Sequence, residues 1–264
     1  MLKLGINDID NRGYHADRIY LSSSVIKLLI KDVAEYHRQY ILGQKESPSN
    51  LDALNEGSLT HSLLLEPEKV DIEYAIYEGK RRQGDEWERF ANMNKGKTIM
   101  LKAQVERCLK LQSAFNKNTE NLKFLTGGAS EFTLCVELQS VPIKVRTDYI
   151  NIKQGFISDV KTTSYAGEID SFREVFNNLN YGLSAALYLQ AAEQFYQEKF
   201  DFYFIVLSKK DFTCNIYKLS DRSRQIGNRQ IVEALNKYKK CKKSGIWTEE
   251  VAGKIEYNQE ILEV

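Results

Sequence analysis

The sequence predicts a mixed α/β protein: a central mixed sheet of about five strands flanked by helices, with a mainly helical region ahead of it. Three features of the pattern carry this reading. Apolar residues recur at helical spacing to about residue 125, alternate with polar ones from 130 to 163, and then switch between the two periods to about residue 245. We therefore read residues 1–264 as a single domain with a helical part at 1–125, a core at 126–245 and a C-terminal tail at 246–264.

Taken in order, Ser22, Ser23 and Ser24 offer hydroxyls to cap a helix through Val25, Leu28, Leu29 and Val33. Ser49 or Asn50 caps a second helix, on which Leu51, Leu54, His61 and Leu65 fall near one face. Glu66-Pro67 ends it, because the residue before a proline is pushed out of the helical region. A third helix runs from about 101 to 115, with Val105, Cys108, Leu109, Gln112 and Phe115 in a stripe. Residues 74–96 are polar and without a clear period, and read as a loop or broken helix. In 130–138, Phe132, Leu134, Val136 and Leu138 face one way, and Glu131, Thr133, Cys135 and Glu137 the other. Ile143, Val145 and Thr147 alternate with Lys144, Arg146 and Asp148, and after a turn at about 151–155 comes FISDVKTT at 156–163. These segments read as an antiparallel meander. Helices at about 169–178 and 181–198, strands at about 201–208 and 212–219, and a helix beginning near Ser220 complete the chain.

Hydrophobic residues make up 42% and charged residues 28%, enough apolar material for a core and too much for a disordered polyelectrolyte. No apolar run approaches the ~20 residues that span a bilayer. The N-terminal MLKLGINDIDNRGYH lacks the apolar stretch of a secretory signal. Cys108, Cys135, Cys214 and Cys241 are scattered without a CxxC pair, so no zinc or iron–sulfur site is expected, and a reduced, cytoplasmic setting is. The net charge of +1 excludes a histone-like polycation but not a DNA enzyme, whose metal-binding acids and surrounding bases cancel. Lys80, Arg81 and Arg82, and the lysines at 237, 239, 240, 242 and 243, are candidate phosphate contacts or solvated surface.

The chemistry sits in the meander. A period of two puts Ile157, Asp159, Lys161 and Thr163 on one face of a strand, and Asp148 on the preceding strand can face them. Two carboxylates and an ammonium then converge, a set suited to magnesium, which takes oxygen ligands and keeps several waters. A lysine there can orient or help deprotonate water, or offset charge on a phosphoryl transition state. A bare DxK is more often a surface ion pair, but the D-(x10)-DxK spacing around a hairpin narrows the field. His61 lies on an apolar stripe and reads as a packed residue or as a ligand. Gly57, one turn earlier, leaves room for another backbone.

These elements resemble the PD-(D/E)xK nuclease superfamily, and within it phage-type RecE exonucleases (exonuclease VIII) and their RecB-like relatives. The pieces are Gly57-Ser58-Leu59-Thr60-His61, Glu131, Arg146-Thr147-Asp148 and Ser158-Asp159-Val160-Lys161-Thr162-Thr163, in the order of the family's GxxxH, E, D and DxK elements. The likeness extends from about 13 to 245. It implies that Asp148, Asp159 and the Val160 carbonyl bind a catalytic Mg2+ (Mn2+ substituting), that Lys161 is the catalytic lysine, that His61 is a further ligand and that Glu131 assists. One departure is clear. Where relatives carry QxxxY, this chain has Ser184 to Tyr188, so the glutamine's role passes to Tyr188, Tyr181 or Gln190, or is lost; these tyrosines also read as packing residues. The cysteine set of the iron–sulfur subgroup is missing. The resemblance further implies 5′→3′ degradation of one strand of linear duplex DNA, leaving a 3′ single strand for recombination by annealing. It implies a ring-shaped homo-oligomer (tetramer or trimer), a RecT-like annealing partner and a bacterial cytoplasm. The alternatives are an endonuclease of the same superfamily, or a non-catalytic DNA-binding protein that keeps the fold.

Overall fold

A computed structural model describes residues 2–44 and 50–252. In chain order its elements are β1 (Gly5–Asn7), α1 (Asn11–Ala16), α2 (Ser23–Lys31), α3 (Val33–Tyr36), α4 (Leu51–Leu65), α5 (Val70–Glu73), β2 (Tyr74–Tyr77), α6 (Gly84–Met93), β3 (Thr98–Leu101), α7 (Lys102–Asn116), β4 (Ala129–Leu138), β5 (Val141–Asn151), β6 (Phe156–Thr163), α8 (Ile169–Asn178), α9 (Tyr181–Tyr196), β7 (Asp201–Ser208), β8 (Cys214–Lys218), α10 (Asp221–Ser244) and α11 (Glu249–Ala252).

Six strands form the central sheet in the order β1-β4-β5-β6-β7-β8. β4, β5 and β6 are the expected antiparallel meander, β7 runs parallel to β6 after the α8–α9 crossover, and β8 turns back antiparallel. The sheet is therefore mixed, as the sequence predicts, and one strand wider. The added edge strand is β1, whose three residues pair with 133–135 and are too few to leave a period. Residues 74–96, expected as a loop or broken helix, hold a helix, α6, but also a strand: β2 pairs in parallel with β3 as a small second sheet, and α6 lies between them in sequence. This unit was invisible because four-residue strands carry little periodicity, and α6 buries none of its residues completely.

Helices cover both faces of the central sheet. On one, Val25, Ile26 and Leu29 of α2 pack with Leu187 of α9 and Ile231 of α10 over Leu134, Val136, Ile143 and Val145. Phe172 and Phe176 of α8 extend this layer over Ile157, Phe202 and Phe204. On the other face, Leu111 and Phe115 of α7 pack on Val160, Ile205 and Leu207. The α7 stripe thus runs through Cys108, Leu111 and Phe115, while Leu109 is exposed. In α4, Asn50 caps the helix by accepting from the Ala53 N–H at 3.2 Å; Ser49 lies outside the described residues. Its buried residues are Glu56, Leu59 and Thr60, whereas Leu51 and Leu54 stand more than half exposed; of the expected face, only Leu65 and His61 turn inward. A buried acid explains the rotation: Glu56 turns inward because Arg107 of α7 and Lys209 pair with it. Among the described residues no helix is long and apolar enough to cross a membrane.

Candidate metal centre

The site forms where the sheet opens. β5 and β6 pair only through Tyr149–Ser158, Ile150–Ile157 and Asn151–Phe156, so the ladder stops one step before Asp148 and Asp159. Asp148 fills the gap with its side chain, its Oδ2 accepting from the Val160 N–H at 2.7 Å. On the other side of β5, the pairs Ser130–Tyr149 and Phe132–Thr147 bracket Glu131 and set it opposite Asp148. Glu131, Asp148 and Asp159 therefore share one register position across β4, β5 and β6. Glu131 is also strained: its φ of 48° is left-handed, which costs a side-chain-bearing residue about 1–2 kcal/mol. Such outliers concentrate at functional sites.

α4 brings His61 to this row from the α7 face of the sheet. Its Nδ1 lies 3.4 Å from Asp148 Oδ2. Gly57, one turn earlier, meets a side chain rather than a backbone: a Cβ there would sit 3.6 Å from Thr162 Oγ1. Lys161 pairs with Asp159, donates to the Val160 carbonyl at 3.2 Å and lies 5.3 Å from the centre of the Tyr181 ring. Lys27 of α2 sits 5.4 Å from the same ring and donates to the Leu179 carbonyl at 2.7 Å. Glu131 is held by Arg146, whose Nε donates to it at 2.7 Å.

Crowding of carboxylates in a half-dry space sets the electrostatics. Burial first, and then Asp159, push the Asp148 carboxyl up to about 7. Burial and then Asp148 raise Glu131 as well. Burial acts to lower the Lys161 ammonium, but Asp159 and Asp148 outweigh it and hold its pKa above the ordinary lysine value. Burial and the nearby Lys161 charge lower His61, which favours the neutral imidazole, with one nitrogen bare to act as a ligand. Lys27 is lowered to about 8, by burial and then by Lys161.

One imidazole nitrogen and two carboxylate oxygens, from His61, Glu131 and Asp148, lie within 4.8 Å of one another. The donor set fits a divalent cation, and two acids pushed upward by crowding mark a place where positive charge is favoured. Asp159 stands next in the row with its carboxylate turned onto Lys161. A groove of about 1010 Å³ runs past this centre between the 6–11 segment and α4, and Tyr181, Lys161 and Arg146 line it.

The structure thus gathers Asp148, Asp159, Val160, Lys161, His61 and Glu131 in one place and puts Tyr181 beside them. Tyr188 is half-buried between the two cores over this face of the sheet, and Tyr181 also packs among them. Gln190 faces α10, where its amide donates to Asn228 at 2.7 Å, so it does not stand in for the family glutamine. Lys80 and Arg81 are exposed and do not line the groove. Arg82 pairs with Asp52 at 2.7 Å and donates to Gln104. Lys27 and the 6–11 wall escaped sequence reasoning, and Arg146 entered it only inside the Arg146-Thr147-Asp148 motif, without a role of its own. Only Arg146 had a usable signal, since a period of two places it on the face of Asp148.

Strands meeting at an acid row, with a lysine two residues beyond the last acid, define a PD-(D/E)xK-type centre in a PD-(D/E)xK nuclease fold. The comparisons agree. The chain belongs to the family described as a PDDEXK-like domain of unknown function (DUF3799), whose pattern matches residues 22–261. It is similar in structure to a protein from Eubacterium rectale provisionally described as an exonuclease, at TM-score 0.67 and 17% identity, covering 91% of this chain and 88% of that one. A likeness at that identity shows the fold alone. The solved structure of SSO0001 matches at TM-score 0.30 and 13% identity over 80% of this chain and 85% of that one, too weak to carry an argument. No curated protein is significantly similar.

Proposed function

We propose that this chain is a divalent-metal-dependent nuclease, and that it degrades one strand of linear duplex DNA from its 5′ end. The single observation that carries the nuclease reading is the shared register of Glu131, Asp148 and Asp159, with His61 on one side and Lys161 on the other. His61, Asp148, Asp159, Glu131 and the Val160 carbonyl are the groups that would hold Mg2+, or Mn2+ in its place. When bound, such a cation supplies Lewis acidity toward a phosphodiester oxygen and toward water.

The residues divide the remaining work. Lys161 has a raised pKa, so at neutral pH it carries charge next to the phosphate rather than taking a proton from water. This favours the charge-offsetting role over the deprotonating one. Tyr181 walls the groove between the Lys161 and Lys27 cations, where its ring keeps both ammonium groups near the site. Asp148 ties the opened strand by its bond to the Val160 N–H and so fixes the Val160 carbonyl.

The exonuclease direction, the 3′ single-strand product, the ring assembly, the annealing partner and the cytoplasmic setting extend this proposal from the RecE resemblance. The deciding experiment incubates the protein with duplex DNA labelled at either 5′ or 3′ ends, with Mg2+, Mn2+ or a chelator. The expected result is early release of the 5′ label as mononucleotide, abolished by the chelator and by Asp159→Ala. Early release of the 3′ label would reverse the polarity. An inert protein with every divalent cation would end the nuclease reading.

A further inference from the structure

Glu131 owes its aim to one side chain. Arg146 lies two residues before Asp148 on β5, opposite Thr133 of β4. Its Nε donates to Glu131 Oε2 at 2.7 Å and its Nη1 to the Ile9 carbonyl at 3.1 Å. Ile9 precedes Asp10, which caps α1 by accepting from the Gly13 N–H at 2.7 Å, and residues 6–11 form one wall of the groove. Lys144, two residues earlier on the same strand, grips the far end of this segment. Its Nζ donates to the Tyr14 carbonyl at 2.6 Å and to the Asp17 carbonyl at 2.9 Å. The two cations thus bind residues 9–17 down along β5, but only Arg146 also reaches the acid row.

The geometry makes this more than surface pairing. The Arg146 side chain is 11% exposed and the Glu131 side chain 23%. Glu131 sits on a left-handed backbone and the β4–β5 ladder skips it between Ser130 and Phe132, so backbone pairing does not fix the direction of its side chain. A planar guanidinium can hold a carboxylate and a carbonyl at once in fixed directions; an ammonium is a point charge without that fork.

We infer that Arg146 is a positioning residue, which fixes the Glu131 carboxylate beside His61 and Asp148 and couples it to the 6–11 wall of the groove. The inference rests on the metallonuclease reading above. Groups that orient metal ligands typically control metal affinity by about 10–100-fold.

The test is a calorimetric Mn2+ titration of the wild-type chain, Arg146→Ala, Glu131→Gln and the double variant, with thermal melting alongside. Arg146→Ala is expected to weaken Mn2+ binding by about 10–100-fold. The double variant is expected to bind no more weakly than Glu131→Gln alone, because both changes remove the same oriented carboxylate. Guanidinium chloride, but not sodium chloride at equal ionic strength, should restore Mn2+ binding to Arg146→Ala and not to the double variant. A purely structural arginine would show neither the non-additivity nor the rescue. Should Arg146→Ala melt too low to titrate, Arg146→Lys keeps the charge without the fork and is expected to bind Mn2+ several-fold more weakly at native melting temperature. Wild-type affinity in either variant, multiplying effects in the double variant, or no rescue by guanidinium would overturn the inference. A wild-type chain that takes up no Mn2+ would instead overturn the metal reading beneath it.

Discussion

Asp148 does two jobs with one carboxylate: it closes the broken β5–β6 ladder on the Val160 N–H, and it stands among other acids. The folded chain binds its proton up to about pH 7, whereas an unfolded aspartate releases it near 4. Between these values the folded state holds a proton that the unfolded state has lost, so this residue's contribution to stability declines as pH rises and is fully lost above about 7. Asp148→Asn keeps an acceptor for Val160 and removes the charge. In chelator it should melt several degrees above the wild type at pH 8, and the gap should close toward pH 4. Identical melting at both pH values would show that the acid crowding is not felt. A second pair separates charge from ligation: Asp159→Ala and Lys161→Ala should each abolish cleavage, but only Asp159→Ala should markedly weaken Mn2+ binding by calorimetry. Near-normal turnover in Asp159→Ala would remove the site. At this scale the sequence was informative for residues on one strand face: a period of two places Asp159 with Lys161, and the hairpin returns Asp148 to them. It said less about Glu131, because its backbone leaves the regular β conformation there, and less about His61, whose partner sits 87 residues away on β5.

Elements decide how firmly that row is presented. α9 carries Tyr181 and Tyr188, and it lies close on α10 at Gly227, where a Cβ would stand 2.6 Å from the Gly182 carbonyl and 2.7 Å from the Ala186 Cβ. Gly227→Ala must push two helix backbones apart. We expect a net destabilisation of about 1–3 kcal/mol, even after the gain in helix propensity, read as a lowered melting temperature. Gly57→Ala is the contrasting case: the new methyl meets only Thr162 Oγ1 at an ordinary distance within a helix, so stability should hold or rise by up to about 1 kcal/mol. A collapse of Gly57→Ala would mean that α4 sits closer to β6 than the structure places it. The contrast also shows where sequence reading reaches. The meander and the α8–α9 crossover announce themselves through long periodic runs. β1, β2 and β3 do not, since strands of three or four residues exist only through partners far along the chain. The face of α4 was misjudged at Leu51 and Leu54 for a related reason, because the Glu56, Arg107 and Lys209 cluster turns a charged residue inward and these two leucines outward.

The whole molecule sets what kind of DNA can reach the acid row. Among the described residues, the cations lining the groove include Lys69, Arg146, Lys161 and Lys209, each paired with an acid of the chain itself. A lining of balanced charge grips phosphate weakly per contact, so retention of DNA between cuts asks for something beyond electrostatics. The proposed closed ring around the duplex would supply it, because a threaded strand leaves only by its end. The proposed ring therefore makes linked predictions. Sedimentation should give a trimer or tetramer at working concentration, and a stable monomer would contradict the assembly. Cleavage should fall as salt is added, since phosphate contacts weaken as counterions compete. Linear duplex should be shortened progressively, whereas a covalently closed circle of the same sequence has no end to thread and should survive. An endonuclease of the same superfamily would nick or fragment the circle, and a binding protein that only keeps the fold would retain both forms uncut. One gel of linear and closed circular DNA, with Mg2+ and with chelator, separates the three, and cutting of the circle as fast as the linear form would refute end-dependent degradation while leaving the metal centre intact.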